Sequence, residues 1–159
     1  MITSVDFKSR RITESHWMPD IFTPEKRSAV MAQIRGKGNK DTELKMIALM
    51  REHGITGWRR NQKLPGKPDF VFRKERIALF VDGCFWHGCP KPKHAPLPKT
   101  RADWWAAKLA RNKARDLEVN RHLRKAGWRV FRVWECDLTR INRPKVARRL
   151  LRVLHEQSS

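Results

Sequence analysis

The sequence predicts an α/β fold in which helices flank a mixed central sheet. Three observations predict it. Short β-rich runs occur at 58–62, 69–72 and 77–81; a further run at 128–134 alternates as a strand should; and helical segments stand before, between and after these runs. The resulting order, α-α-β-β-β-loop-α-β-α, is that of a layered domain and not of an all-helical bundle or a β-sandwich. No internal repeat is present.

Residues 1–22 mix charge, Ser/Thr and isolated apolar residues without a period, so they read as an arm preceding a single domain, 23–159. Thr23-Pro24-Glu25 is a helix start, with a capping hydroxyl, Pro at the first helical position and an acid in the first turn. That helix runs to Ile34, and Gly36 and Gly38 break it. A second helix spans 42–53, with Leu44, Ile47, Ala48 and Ile55 as inward positions and Gly54 as its stop. Trp58 to Gln62 is a short strand, and Leu64 to Pro68 is a turn whose prolines and glycine forbid regular structure. Asp69 to Phe72 and Ile77 to Val81, separated by the charged Arg73 to Arg76, form a hairpin. Residues 82–100 hold two Gly, four Pro, two Cys and two His; so long an irregular loop needs something to hold it in shape. Thr100 caps a long helix over 101–125, Gly127 ends it, and 128–134 is the last strand. A basic helix over 143–155 closes the chain, with Val146, Leu150, Val153 and Leu154 on one face.

The 36 Lys and Arg against 16 Asp and Glu give a formal net charge of +20, while 40% of the residues are hydrophobic. The apolar fraction excludes a disordered basic tail. No apolar run approaches the ~20 residues of a membrane span, and the N-terminal stretch lacks the pattern of a secretory signal, so the expected location is the cytoplasm. An excess of cations attracts polyphosphate and releases its counterions on binding, which makes nucleic acid the expected partner and a membrane surface the weaker one. Residues 101–125 carry eight Lys or Arg against three acids, and 138–159 carry six against one. Some of these simply solvate helix faces; others would position a duplex through its phosphates.

Two constellations carry chemistry. Three cysteines are too few for a closed disulfide framework, but Cys84, Cys89, His94 and Cys136 make a set of four soft or borderline ligands suited to structural Zn2+. Lys91, Lys93 and Lys99 would favour the thiolates. The alternative is three thiols without a metal. The second constellation begins at Asp69, an acid opening one hairpin strand and therefore facing the end of its partner near Val81 and Asp82. Together these can bind one hard cation such as Mg2+, which polarises a phosphate and helps activate water. His87 lies just beyond and can take a proton from water at neutral pH if another group orients it; Asp116 on the long helix is the candidate orienter. Taken alone, an Asp opening a strand and a single His are also ordinary structural residues.

LPGKPDFVF, FVDGCFWHGC, KTRADWW, RNKARD and GWRVFRVWEC, in this order and at matching intervals, make residues 24–138 resemble the very-short-patch repair (Vsr) mismatch endonucleases. CFWHGC is the most distinctive part. The resemblance implies a restriction-endonuclease-like fold with a structural zinc site. It also implies a Mg2+-dependent enzyme that nicks one strand of double-stranded DNA 5′ of the thymine in a T·G mismatch. It makes Asp69 the metal-binding catalytic acid, with the carbonyl of Val81 as backbone ligand, His87 the general base, Asp116 its supporting acid and Glu43 an additional active-site acid. The zinc set is again Cys84, Cys89, His94 and Cys136.

Three features depart from the family pattern. Asp82 stands where the best-known members have a second His, the stretch before Glu43 is one residue longer, and the arm is longer than the family needs. Trp104 and Trp105 cannot both face one core, because adjacent helical residues point about 100° apart. On the resemblance Phe85, Trp86 and Trp105 are the residues that intercalate, since a wedge enters most cheaply at a mismatched step. A monomer is expected, nucleoid-associated when bound, with mismatch-repair proteins as possible partners. A sequence-specific nickase on paired DNA and a non-catalytic zinc-containing nucleic-acid-binding protein are the alternatives.

Overall fold

The fold is available as a computed structural model, which describes residues 42–91 and 97–156. The arm, the helix expected over 23–34 and the zinc-ligand candidate His94 lie outside the described residues. Four strands form one sheet in the order β1-β2-β3-β4: Trp58–Arg59, Phe70–Phe72, Ile77–Asp82 and Arg129–Trp134. The hairpin is as expected, with Phe70 opposite Leu79 and Phe72 opposite Ile77 in antiparallel register. β4 joins β3 in parallel, pairing Phe80 with Arg132 and Asp82 with Trp134. The sheet is therefore mixed, and the crossover between its parallel strands is a long helix, as a parallel pair requires.

Strand alternation divides the apolar residues between two faces. Phe70, Phe72, Ile77, Leu79, Val81, Phe131 and Val133 face helices α1 (Glu43–Glu52) and α3 (Arg143–His155), whose Met46, Leu49, Met50, Val146, Ala147 and Leu150 complete the main core. Burying a side chain of this size stabilises by about 1.5–3 kcal/mol, so this layer dominates stability. Ala78 and Phe80 point the other way and meet Leu123 of the long helix α2 (Ala102–Lys125), flanked by Leu64, Val119, Trp128 and Val130. A short 3-10 turn, Glu135–Leu138, carries Cys136 off the end of β4.

Three local expectations are corrected. α1 is rotated by about one position: Leu44 and Ala48 are exposed, whereas Glu43, Met46, Leu49 and Met50 are buried. The rotation follows from Glu43, which turns inward to bond Arg60. β1 ends at Arg59 because Asn61 adopts a left-handed backbone, φ 55°, a conformation Asn tolerates and a strand does not. Finally, Thr100 is not the cap of α2; Arg101 holds that position in left-handed geometry, and no side chain caps the helix. Gly54 and Gly127 do end α1 and α2 with positive φ. At Gly66 in the turn before β2, a Cβ would sit 2.3 Å from Val119 Cγ1, so this turn is pressed directly onto α2. No helix among the described residues is long and apolar enough to cross a membrane.

Candidate active site

Asp69 immediately precedes β2, and hairpin pairing brings it beside the end of β3, where its Oδ2 accepts the Val81 N–H at 2.7 Å. Burial pushes its carboxyl pKa up; the Val81 bond opposes that rise and the neighbouring Asp82 charge adds to it. A desolvated carboxylate beside a second one is a group whose charge a hard cation would relieve, so the donor set fits an oxygen-ligated metal. Glu43 lines the same cavity of about 350 Å³, together with Arg60, Lys63, Lys67 and Asp69. Glu43 is not idle there: it is 5% exposed and bonded to Arg60.

Asp82, the last residue of β3, points to the α2 side of the sheet and is 2% exposed. Burial raises its pKa, and Arg132 is the foremost influence opposing that rise. His87 follows in the loop; its Nδ1 lies 2.6 Å from Asp116 Oδ2 on α2 and 3.8 Å from Asp82 Oδ1. Asp116 is also partly desolvated, but its bonds to Arg132 and His87 outweigh that cost and hold its pKa below the usual carboxylate range. With Nδ1 donating to Asp116, the imidazole keeps Nε2 as its basic nitrogen, the arrangement a general base needs.

The sulfurs of Cys84, Cys89 and Cys136 lie within 4.8 Å of one another, and all three residues are buried. Cys89 Sγ and Cys136 Sγ are 3.7 Å apart. Two thiolates on a tetrahedral zinc are separated by about 3.8 Å, given Zn–S bonds of ~2.3 Å, so the spacing fits such an ion. The expected help from lysines is smaller than burial: the Cys84 thiol is pushed up to about 12 and Cys136 is also raised, although Lys91 Nζ sits 3.6 Å from Cys136 Sγ. Burial thus holds Cys84 and Cys136 toward their protonated forms. Lys91 also pairs with Asp137, and Glu135 accepts the Cys84 N–H, so the 3-10 turn holds the loop at Cys84 and at Lys91.

Phe85 and Trp86 stand between Cys84 and His87 in sequence. Phe85 meets Trp86 and Trp105 edge-on at centroid distances of 5.2 Å, and Trp105 meets Trp104 at 4.8 Å. Trp104 is 42% exposed and Trp105 less so, as their helical spacing demands. Lys108, one turn on, places its ammonium 4.8–5.6 Å from the rings of Trp86, Trp104 and Trp105. The Trp86 carbonyl accepts the Asn112 side chain, which anchors the loop to α2.

The structure thus brings Asp69, Val81, Asp82, His87 and Asp116 to one end of the sheet, and the loop that carries His87 also brings two of the three clustered cysteines and the Phe85 and Trp86 rings. Sequence reasoning missed Arg132, Arg60 and Lys108. Arg132 stands on the opposite face of β4 from Phe131 and Val133, and only its pairing with Phe80 reveals that it faces Asp82.

The profile of the family described as DNA mismatch endonuclease Vsr matches residues 19–91. Type II nicking enzyme V.XorIIP of Xanthomonas oryzae pv. oryzae is 41% identical over 124 residues, 77% of this chain and 88% of the relative. Type II nicking enzyme V.NmeAIP of Neisseria meningitidis is 36% identical over 141 residues, 87% of this chain and 96% of the relative. DNA mismatch endonuclease Vsr of Escherichia coli is 36% identical over 126 residues, covering 76% of each chain. The protein is accordingly a DNA endonuclease, a hydrolase of phosphodiester bonds. It belongs to the Vsr family of DNA mismatch endonucleases.

Proposed function

We propose that this endonuclease nicks one DNA strand 5′ of the thymine at a T·G mismatch, using Mg2+ for cutting and Zn2+ for structure. The observation that carries the reading is the convergence of Asp69, His87 and Asp116 on one end of the sheet, with an imidazole oriented through Nδ1. Asp69 and the carbonyl of Val81 would hold the Mg2+, which when bound supplies positive charge to the scissile phosphate and lowers the pKa of water. His87 Nε2 accepts the proton of the attacking water, and Asp116 stabilises the imidazolium that results. Glu43, fixed by Arg60, borders the same cavity and helps place the cation. Cys84, Cys89 and Cys136, with His94, would hold the Zn2+ and so fix the loop that carries His87.

Phe85, Trp86 and Trp105 form the wedge that enters the mismatched step, where unstacking costs least. The net charge of +20 supplies grip on phosphate regardless of sequence, a contribution that weakens with salt. The setting is the cytoplasm, where mismatch-repair proteins would be the partners. A second reading, a sequence-specific nickase on paired DNA, is favoured by the relatives whose names describe nicking enzymes.

Incubating the protein with otherwise identical T·G and fully paired duplexes, with and without Mg2+, separates the two. Strand-specific nicking of the T·G duplex alone is expected; equal cutting of both duplexes would transfer the assignment to the second reading. No cutting of either would leave a non-catalytic binder.

A further inference from the structure

We propose that Arg132 is a positioning residue for strand cutting: it holds Asp82 away from competition for His87, so that Asp116 alone orients the imidazole. The inference deepens the assignment of His87 as general base and rests on it. Arg132 lies opposite Phe80 in the parallel register, and its guanidinium packs over the Phe80 ring, 4.7 Å from the centroid. Packing against the ring restricts the guanidinium while its N–H groups reach two carboxylates. Nη1 is 3.5 Å from Asp82 Oδ2, and Nη2 is 3.3 Å from Asp116 Oδ1. Among the described residues Arg132 is the only Lys or Arg within ion-pair distance of Asp82 or of Asp116.

The need for such a group follows from counting donors. His87 Nδ1 carries at most one proton, yet two carboxylates approach it, Asp116 at 2.6 Å and Asp82 at 3.8 Å. Asp82 is almost wholly buried, and its Oδ2 has no hydrogen-bond donor. Without a neighbouring cation, the two carboxylates would repel each other, and the one lacking a donor would draw the imidazole toward itself. That would turn Nε2 away from the water it serves. The fork of Arg132 satisfies both carboxylates electrostatically and leaves the short bond to Asp116. Lys could supply the charge but not both contacts at once.

The test is a cycle of Arg132→Met, Asp82→Asn and the double variant, read by single-turnover nicking of whichever duplex the wild type cuts. Arg132→Met should lower the rate by about 10²-fold, the size of an ~1 Å misplacement, with duplex affinity within about two-fold of wild type. In the Asp82→Asn background the same substitution should cost less than about a tenth as much, because the competing charge is gone. An unchanged rate in Arg132→Met, or an equal loss in both backgrounds, overturns the proposal. Nitrogen NMR of 15N-histidine-labelled protein without added Mg2+ gives an independent reading: His87 should be Nδ1-protonated in the wild type and of mixed tautomer in Arg132→Met. The same tautomer in both contradicts it. Should Arg132→Met fail to fold by circular dichroism, Arg132→Lys serves, with an intermediate loss expected and a wild-type rate overturning the idea. His87→Ala separates the two levels: if it nicks normally, the assignment of the base falls, whereas an inactive His87→Ala beside an uncoupled Arg132 overturns the positioning role alone.

Discussion

The two faces of the sheet do different work. Against α1 and α3 the strands present Phe, Ile, Leu and Val to Met and Leu, and the one charge buried on α1 among the described residues, Glu43, is paired with Arg60. Against α2 the apolar layer is small, Ala78, Phe80 and Leu123 with a few flanking residues, and it gives way at the end of β3 to Asp82, His87, Asp116 and Arg132. Charged groups collect where apolar packing runs out, and the packed face supplies the rigidity that keeps them in place. The loop from Asp82 to Lys91 has little regular backbone structure to hold it. Around it gather three thiols, Asn112 and Glu135, so the chemical face carries a cluster compatible with a metal site.

That contrast can be broken deliberately. The largest effect should come from stripping the thiol site. Structural zinc contributes ~10–16 kcal/mol of apparent binding energy in small domains, so exhaustive chelation should abolish or sharply lower the thermal transition and release one equivalent of zinc. An unchanged transition together with no zinc by elemental analysis would leave the cysteines as free thiols. Next comes a cavity in the packed face. Leu49 is fully buried, and Leu49→Ala should cost about 2–5 kcal/mol in denaturant unfolding while the molecules that remain folded cut normally. If its nicking falls in proportion to a shifted active site, the two faces are not separable.

The smallest effect is electrostatic. Asp116 has a depressed pKa in the folded protein, so its contribution is present above the unfolded value near 3.9 and is lost as pH falls through the folded one. Asp116→Asn should therefore be less stable than wild type at neutral pH, on the order of 1 kcal/mol, with the gap closing below about pH 3.9. A gap independent of pH would mean that the loss is steric.

Much of this was legible in the residues. The hairpin could be read because apolar runs flank a charged tetrapeptide, and hairpin geometry by itself set Asp69 against Val81. The cysteines could be grouped because Cys136 ends a strand and Cys84 and Cys89 lie in a loop that no secondary structure supports. Other features depend on tertiary register, which periodicity does not encode. Nothing local distinguishes Arg132 from the many arginines that solvate helices and strands. Leu44 looked like a core position until Arg60, 17 residues beyond Glu43, drew Glu43 inward. Likewise Thr100 has the chemistry of a cap, but the backbone enters α2 one residue later through Arg101.

In the proposed function the carboxylate–imidazole end of the sheet cuts DNA, with Asp69 as its metal-holding group. That role is tested most directly by Asp69→Asn, which preserves size while removing the charge. Measured side by side with wild type on a T·G duplex in Mg2+, the variant should bind DNA with similar affinity, since grip comes from the cationic surface, and should lose nicking by more than about 10³-fold. Nicking at the wild-type rate with binding intact would contradict the account.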